Sequence, residues 1–136
     1  MKCFSFILFL ALAFHCNPAM AESNWILIAA DAKGQNEWYV QPGSFEFSKT
    51  RGGNSVALVV GKILDKKYSN IQIYKWYVTA EDCGRKMGKV ISLNLDGEFI
   101  FENDFVSGSG NIATAIADVI CGVAEHHANE VSDKSI

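Results

Sequence analysis

Three observations predict an α+β fold: a meandering antiparallel sheet of about six strands, with a C-terminal helix packed on one face and tied by a disulfide. Short segments rich in β-branched and aromatic residues alternate in polarity between turns built on Gly, Asn and Asp. Near the end the spacing changes to a helical period behind an asparagine suited to cap it. One cysteine pair, Cys83 and Cys121, remains once the leader is set aside. The 136 residues, 49% apolar and 20% charged, suit one ordinary domain and disfavour disorder. Twelve basic against fifteen acidic side chains, without long runs, leave no electrostatic footprint for nucleic acid or an anionic membrane surface.

Met1-Lys2 gives a positive start, Cys3 to Phe14 is apolar and uncharged, and Ala19-Met20-Ala21 puts small residues where a signal peptidase cleaves. Residues 1–21 therefore read as a secretory signal peptide, 22–125 as the folded domain and 126–136 as a polar C-terminal tail expected to fray. A membrane span needs about 20 apolar residues. His15, Asn17 and Pro18 interrupt this run well before that, so no membrane span is expected. A lipid anchor at Cys16 is disfavoured because that processing wants a small residue before the cysteine, and His15 stands there. The expected location is exported, either periplasm or the outer cell surface.

Each element has its own signal. Trp25 to Ala30 is apolar at both parities, which reads as a strand covered on both sides or as the first strand of the sheet. Lys33-Gly34-Gln35-Asn36 is a turn, Glu37 to Gln41 a short strand stopped by Pro42-Gly43, and Ser44 to Ser48 a strand with Phe45 and Phe47 on one face. Ser55 to Asp65 is β-branched-rich, with Gly61 marking a bulge or a close approach. Ile71 to Ala80 is the strongest strand, ended by Glu81-Asp82 with Cys83-Gly84 at the junction. Met87 to Leu95 alternates Met87, Lys89, Ile91, Leu93 and Leu95 against Gly88, Val90, Ser92 and Asn94, one face apolar and one mixed. Asp96-Gly97 suits a type I′ turn into Glu98 to Phe105, whose Phe99, Phe101 and Phe105 share a face. Asn111 then caps a helix from about Ile112 to Val123 or a little beyond, with Ile112, Ile116, Val119, Ile120 and Val123 on one side and Thr114, Asp118 and Glu125 opposite.

In an oxidising exported compartment a lone cysteine pair is a disulfide far more often than a catalytic or metal-binding pair. Cys83 falls at a strand end and Cys121 on a helix flank, so a bridge would hold the helix on the sheet. Such a loop stabilises the fold by roughly 4 kcal/mol in the chain-entropy model.

The remaining motifs are mostly structural. Arg85, Lys86 and Lys89 could meet an acidic patch on a protein partner, with Lys66-Lys67 joining them across the sheet; solvated edge charges are the plainer account. Tyr74, Trp76 and Tyr77 decorate both faces of one strand, and one helix covers one face, so these rings divide between core packing and an exposed binding or homodimer surface. His126-His127 point about 100° apart on a helix and do not converge on one ion. Ser107-Gly108-Ser109-Gly110 lacks the Lys and Ser/Thr ending of a phosphate loop. No nucleophile, base and metal set is visible, so neither an enzyme nor a cofactor is expected.

The order of a Trp-led strand, the element EWYVQPGSF, a strand ending in YKWYVTAEDCGRK, a hairpin, and a helix ending at DVICG resembles the bacterial surface-adhesin protein E family over most of Trp25 to Cys121. The resemblance implies the sheet-and-helix fold with its single disulfide. It further implies a non-enzymatic adhesive role, binding a host extracellular matrix or serum protein such as laminin or vitronectin. The alternative is a soluble periplasmic binding, inhibitor or accessory module.

Overall fold

The structure, a computed structural model, describes residues 24–134. The leader, its cleavage site and Cys16 lie outside the described residues. The strands are β1 (Ile26–Ala30), β2 (Asn36–Val40), β3 (Glu46–Lys49), β4 (Ser55–Asp65), β5 (Asn70–Thr79), β6 (Met87–Leu93) and β7 (Phe99–Val106). Two helices join them, α1 (Ala80–Arg85) and α2 (Ile112–Lys134), and a single 3-10 turn covers Pro42–Ser44. One antiparallel sheet runs in the order β1-β2-β4-β5-β6-β7. The seventh strand, β3, lies end to end with β2 on the same edge of β4: β2 takes Gly61 to Asp65 and β3 takes Ser55 to Leu58. The meander is thus six strands wide, as predicted, with one position filled by two short strands.

Strand alternation sorts the sheet into two faces. Val40, Ala57, Val59, Trp76, Val78, Val90 and Phe105 point to one side, where Ala113, Ile116, Ala117 and Ile120 of α2 complete a buried core. Gly61 sits in the middle of it because the ring of Trp76 lies directly across β4: a Cβ there would fall 2.0 Å from Trp76 Cζ3. Of the two readings of this glycine, the close approach is the one realised, and the β2–β4 and β4–β5 registers run through it without a bulge.

Cys83 and Cys121 are bonded, with Cα atoms 5.4 Å apart. The partner of the α2 flank is not a strand end but the helical turn α1, capped by the Thr79 hydroxyl on the Asp82 amide and closed by Lys86 in the left-handed region. The pattern Thr79-Ala80-Glu81-Asp82 is a capping box in outline, and reading Glu81-Asp82 only as strand terminators overlooked it.

The structure assigns the faces of β6 and corrects three further expectations. The apolar face of β6 (Met87, Ile91, Leu93) is the one turned away from the helix, and the mixed face, with Val90 and Ser92, is buried. The β6–β7 connection is wider than a two-residue type I′ turn: the Asn94 amide donates to the Glu98 carbonyl, the Gly97 amide to the Asn94 carbonyl, and only Gly97 takes positive φ. That is a type I turn followed by a left-handed glycine, with the Asn94 side chain accepting from the Asp96 and Glu98 amides. Thr114, expected on the solvent side of α2, is buried because its hydroxyl donates to the Val106 carbonyl and accepts from the Val106 amide. Finally, residues 126–134 are helical rather than frayed, and His127 stacks on Phe47 of β3 with ring centroids 3.8 Å apart.

Candidate functional site

The face of the sheet opposite α2 is covered by no described element, and it is not the polar surface that alternation usually leaves there. Leu27, Ile71, Ile73, Met87, Ile100 and Val106 are all exposed on it, around a half-buried middle of Leu58, Val60, Tyr77, Ile91 and Leu93. The registers that place them are Leu64 opposite Ile71, Lys62 opposite Ile73, Tyr77 opposite Ile91 and Met87 opposite Val106. Antiparallel pairing alone fixes this, since residues directly opposite share a face.

Charges are set into the apolar field at fixed places. Lys62 Nζ lies 4.7 Å from the centroid of Trp25 and 4.9 Å from that of Tyr39, a cation held between two ring faces. The Tyr39 hydroxyl donates to Glu37 at 2.7 Å; this bond, more than Lys66 at 3.2 Å, holds the Glu37 carboxyl below its ordinary range and raises the Tyr39 phenol. At the other margin Lys89 bridges Asp104 at 2.7 Å and Glu102 at 3.2 Å, and the Asp104 bond leads in raising its pKa.

The partner-binding residues expected from the sequence are not brought together. Lys89 and Tyr77 lie on the open face. Trp76 is 1% exposed in the core and Tyr74 is on the helix side, edge-on to Phe101 at 5.5 Å, so neither ring serves as an outer contact. Arg85 pairs with Asp82 at the end of α1, and Lys86 forms the helix cap. Lys66 and Lys67 sit at the turn before β5, whose ten residues separate them from α1 by roughly 30 Å. Those five basic residues therefore make no common patch. Sequence reasoning missed Leu27, Ile100 and Val106, whose signal was apolar parity opposite to that of the buried Phe105 and Trp76.

Two of the clefts on the helix side lie toward the two ends of α2. One of about 470 Å³ lies between β3, β4 and the end of α2, with Phe47 and His127 among its walls. The other, of about 430 Å³, opens between the start of α2 and strands β2, β5, β6 and β7. Among the described residues there is no group of three or more His, Cys, Asp or Glu side chains placed to hold a metal ion, and no helix long and apolar enough to cross a membrane. His126 meets Glu130 at 3.7 Å, apart from the His127–Phe47 stack.

The fold and this surface define an α+β protein with a disulfide-anchored helix behind its sheet and an apolar, lysine-studded face in front. Compared with known proteins, the chain matches no family model, no curated protein and no solved structure.

Proposed function

We propose that the chain is an exported, non-catalytic binding protein of the surface-adhesin protein E type that meets a host matrix or serum protein with the open face of its sheet. The observation that carries this reading is the uncovered apolar field itself. Exposed apolar side chains gathered on one sheet face, here with Lys62 and Lys75 set among them, mark protein contact sites. Exposed aliphatic residues supply the area, while Lys62 between its rings and Lys89 between its carboxylates supply fixed polar points around it.

Two measurements test the reading together. The disulfide-intact protein, immobilised, should bind laminin or vitronectin, and Ile73→Ser with Ile71→Ser should weaken that binding at least tenfold while leaving the unfolding midpoint nearly unchanged, because both positions are solvent-exposed. On intact cells the protein should be open to added protease. Degradation only after the outer membrane is opened would defeat the adhesive reading and leave the periplasmic module.

A further inference from the structure

The cleft of about 430 Å³ on the helix side contains a polar group that packing does not explain. Ser92 is 2% exposed, flanked across the sheet by Trp76 on β5 and Phe101 on β7, with a bulge immediately after it. Its hydroxyl has no hydrogen-bond partner among the described residues, although it lines the cleft. No described side-chain polar atom sealed from solvent lacks a partner, so this hydroxyl opens onto the cleft space. The protein spends none of this hydroxyl's bonding capacity on itself, so at the floor of the cleft it is free for whatever enters, whereas alanine would fit the same alternation and offer nothing. Its presence points to something that completes it.

The other walls agree on the chemistry. Asn103, exposed on β7, lines the same cleft and its amide is likewise unpaired among the described residues. At the opposite wall the first turn of the 23-residue α2 presents the Ile112 and Ala113 amides, which have no acceptor, while the Asn111 carboxamide oxygen is already used by the Thr114 amide. Trp38 and Phe101, both half-buried, give apolar ring walls. The only ionisable residue in the lining, Asp104, is committed to Lys89 on the other face. Unspent donors and acceptors together, ring walls, and no free charge match a neutral ring bearing several hydroxyls.

We infer that this cleft is a binding site for a neutral, hexose-sized saccharide unit, with Ser92, Asn103 and the α2 amides taking its hydroxyls and Trp38 and Phe101 flanking its ring. The volume lies within the range of small-ligand sites. This site is on the opposite side of the sheet from the protein-contact face, so it stands or falls independently of the proposed function.

The test is an amide-shift titration of the disulfide-intact protein with D-glucose, D-galactose, D-mannose and N-acetyl-D-glucosamine, each taken to about 50 mM, above the millimolar dissociation constants of weak single sites. Sodium benzoate, a ring carrying a carboxylate for the helix N-terminus, is the competing probe. At least one sugar should give saturable shifts confined to Ser92, Asn103, Ile112, Ala113 and the Trp38 indole. Asn103→Ala and Ser92→Ala should each weaken that sugar at least fivefold, with the unliganded spectrum confirming the fold, and Ile73→Ser should leave it unchanged. The inference is overturned if none of the four sugars shifts these residues, if benzoate alone does, or if the shifts survive in both cleft variants.

Discussion

Gly61 and Trp76 show how one residue's lack of a side chain decides the packing of the whole buried face. The indole is 1% exposed and its six-membered ring occupies the space above the Gly61 Cα, 2.0 to 2.6 Å from where a Cβ would stand. The clash is with a large ring held by Val59, Val78 and α2, not with the free end of a flexible chain, so it has no cheap relief. Gly61→Ala should therefore lose about 3 kcal/mol in urea denaturation, at the upper end of overpacking costs. Trp76→Leu, costly in the native background, should cost clearly less in the Gly61→Ala background, since the two residues share the same space. A simple sum of the two losses would show that the glycine is required for something other than the ring.

At the scale of elements, the β1–β2 hairpin carries an acid-sensitive lock. Asp31 accepts from the Asn36 side chain at 2.9 Å and from the Gln35 and Asn36 amides, and the Asn36 side-chain bond leads in holding its carboxyl below the ordinary range. Glu37, in the next strand, is depressed by the Tyr39 hydroxyl and then by Lys66. A carboxyl depressed in the folded state stabilises at pH above its unfolded value, near 4, and that stabilisation disappears as pH falls through the lower folded value. The urea midpoint should thus fall as pH drops below about 4, and Asp31→Asn with Glu37→Gln should flatten that part of the profile while lowering the plateau above it. An unchanged slope in the double variant would place the acid sensitivity elsewhere. The strands themselves were legible because alternation and turn residues are local signals: Asn70–Thr79 and Phe99–Val106 lie within two residues of their expected limits. What was not legible depended on partners distant in sequence. Which face of β6 is buried follows from which side α2 takes, and the β6 sequence points the other way with Met87, Ile91 and Leu93. Thr114 is drawn inward by the Val106 backbone, and residues 126–134 stay helical beside β3, where Phe47 receives His127. The open face was half visible in the parity of Tyr77 and Ile73; the Ser92 cleft was not, because a serine in a mixed strand face gives no sign of being buried.

For the whole molecule, the decisive fact is that a six-strand-wide sheet is covered on one side by one helix. α2 touches β1, β4, β5, β6 and β7, yet its buried stripe is narrow, with alanines at 113 and 117 alternating with Ile116 and Ile120. Small residues let the helix lie close to the sheet but contribute little apolar area each, whereas a fully buried Ile contributes about 2 kcal/mol. The Cys83–Cys121 bond, spanning 38 residues, therefore supplies a large part of what keeps the two layers together. It acts chiefly by restricting the unfolded chain, and it anchors α2 near its middle through α1, leaving the Ser92 cleft at one end of the helix and the Phe47–His127 cleft at the other. A Cys83→Ala/Cys121→Ala variant should lose roughly 2–4 kcal/mol of stability and still fold, because the buried core around Val59, Trp76 and Ile120 is built from other residues, with the two cysteines packed only against its margin. Amide exchange should then quicken throughout α2 well before it quickens in β4 and β5, since the helix alone loses its covalent tie. Equal acceleration in sheet and helix would mean that the two layers unfold as one unit, and that the disulfide stabilises the molecule without specifically holding its lid.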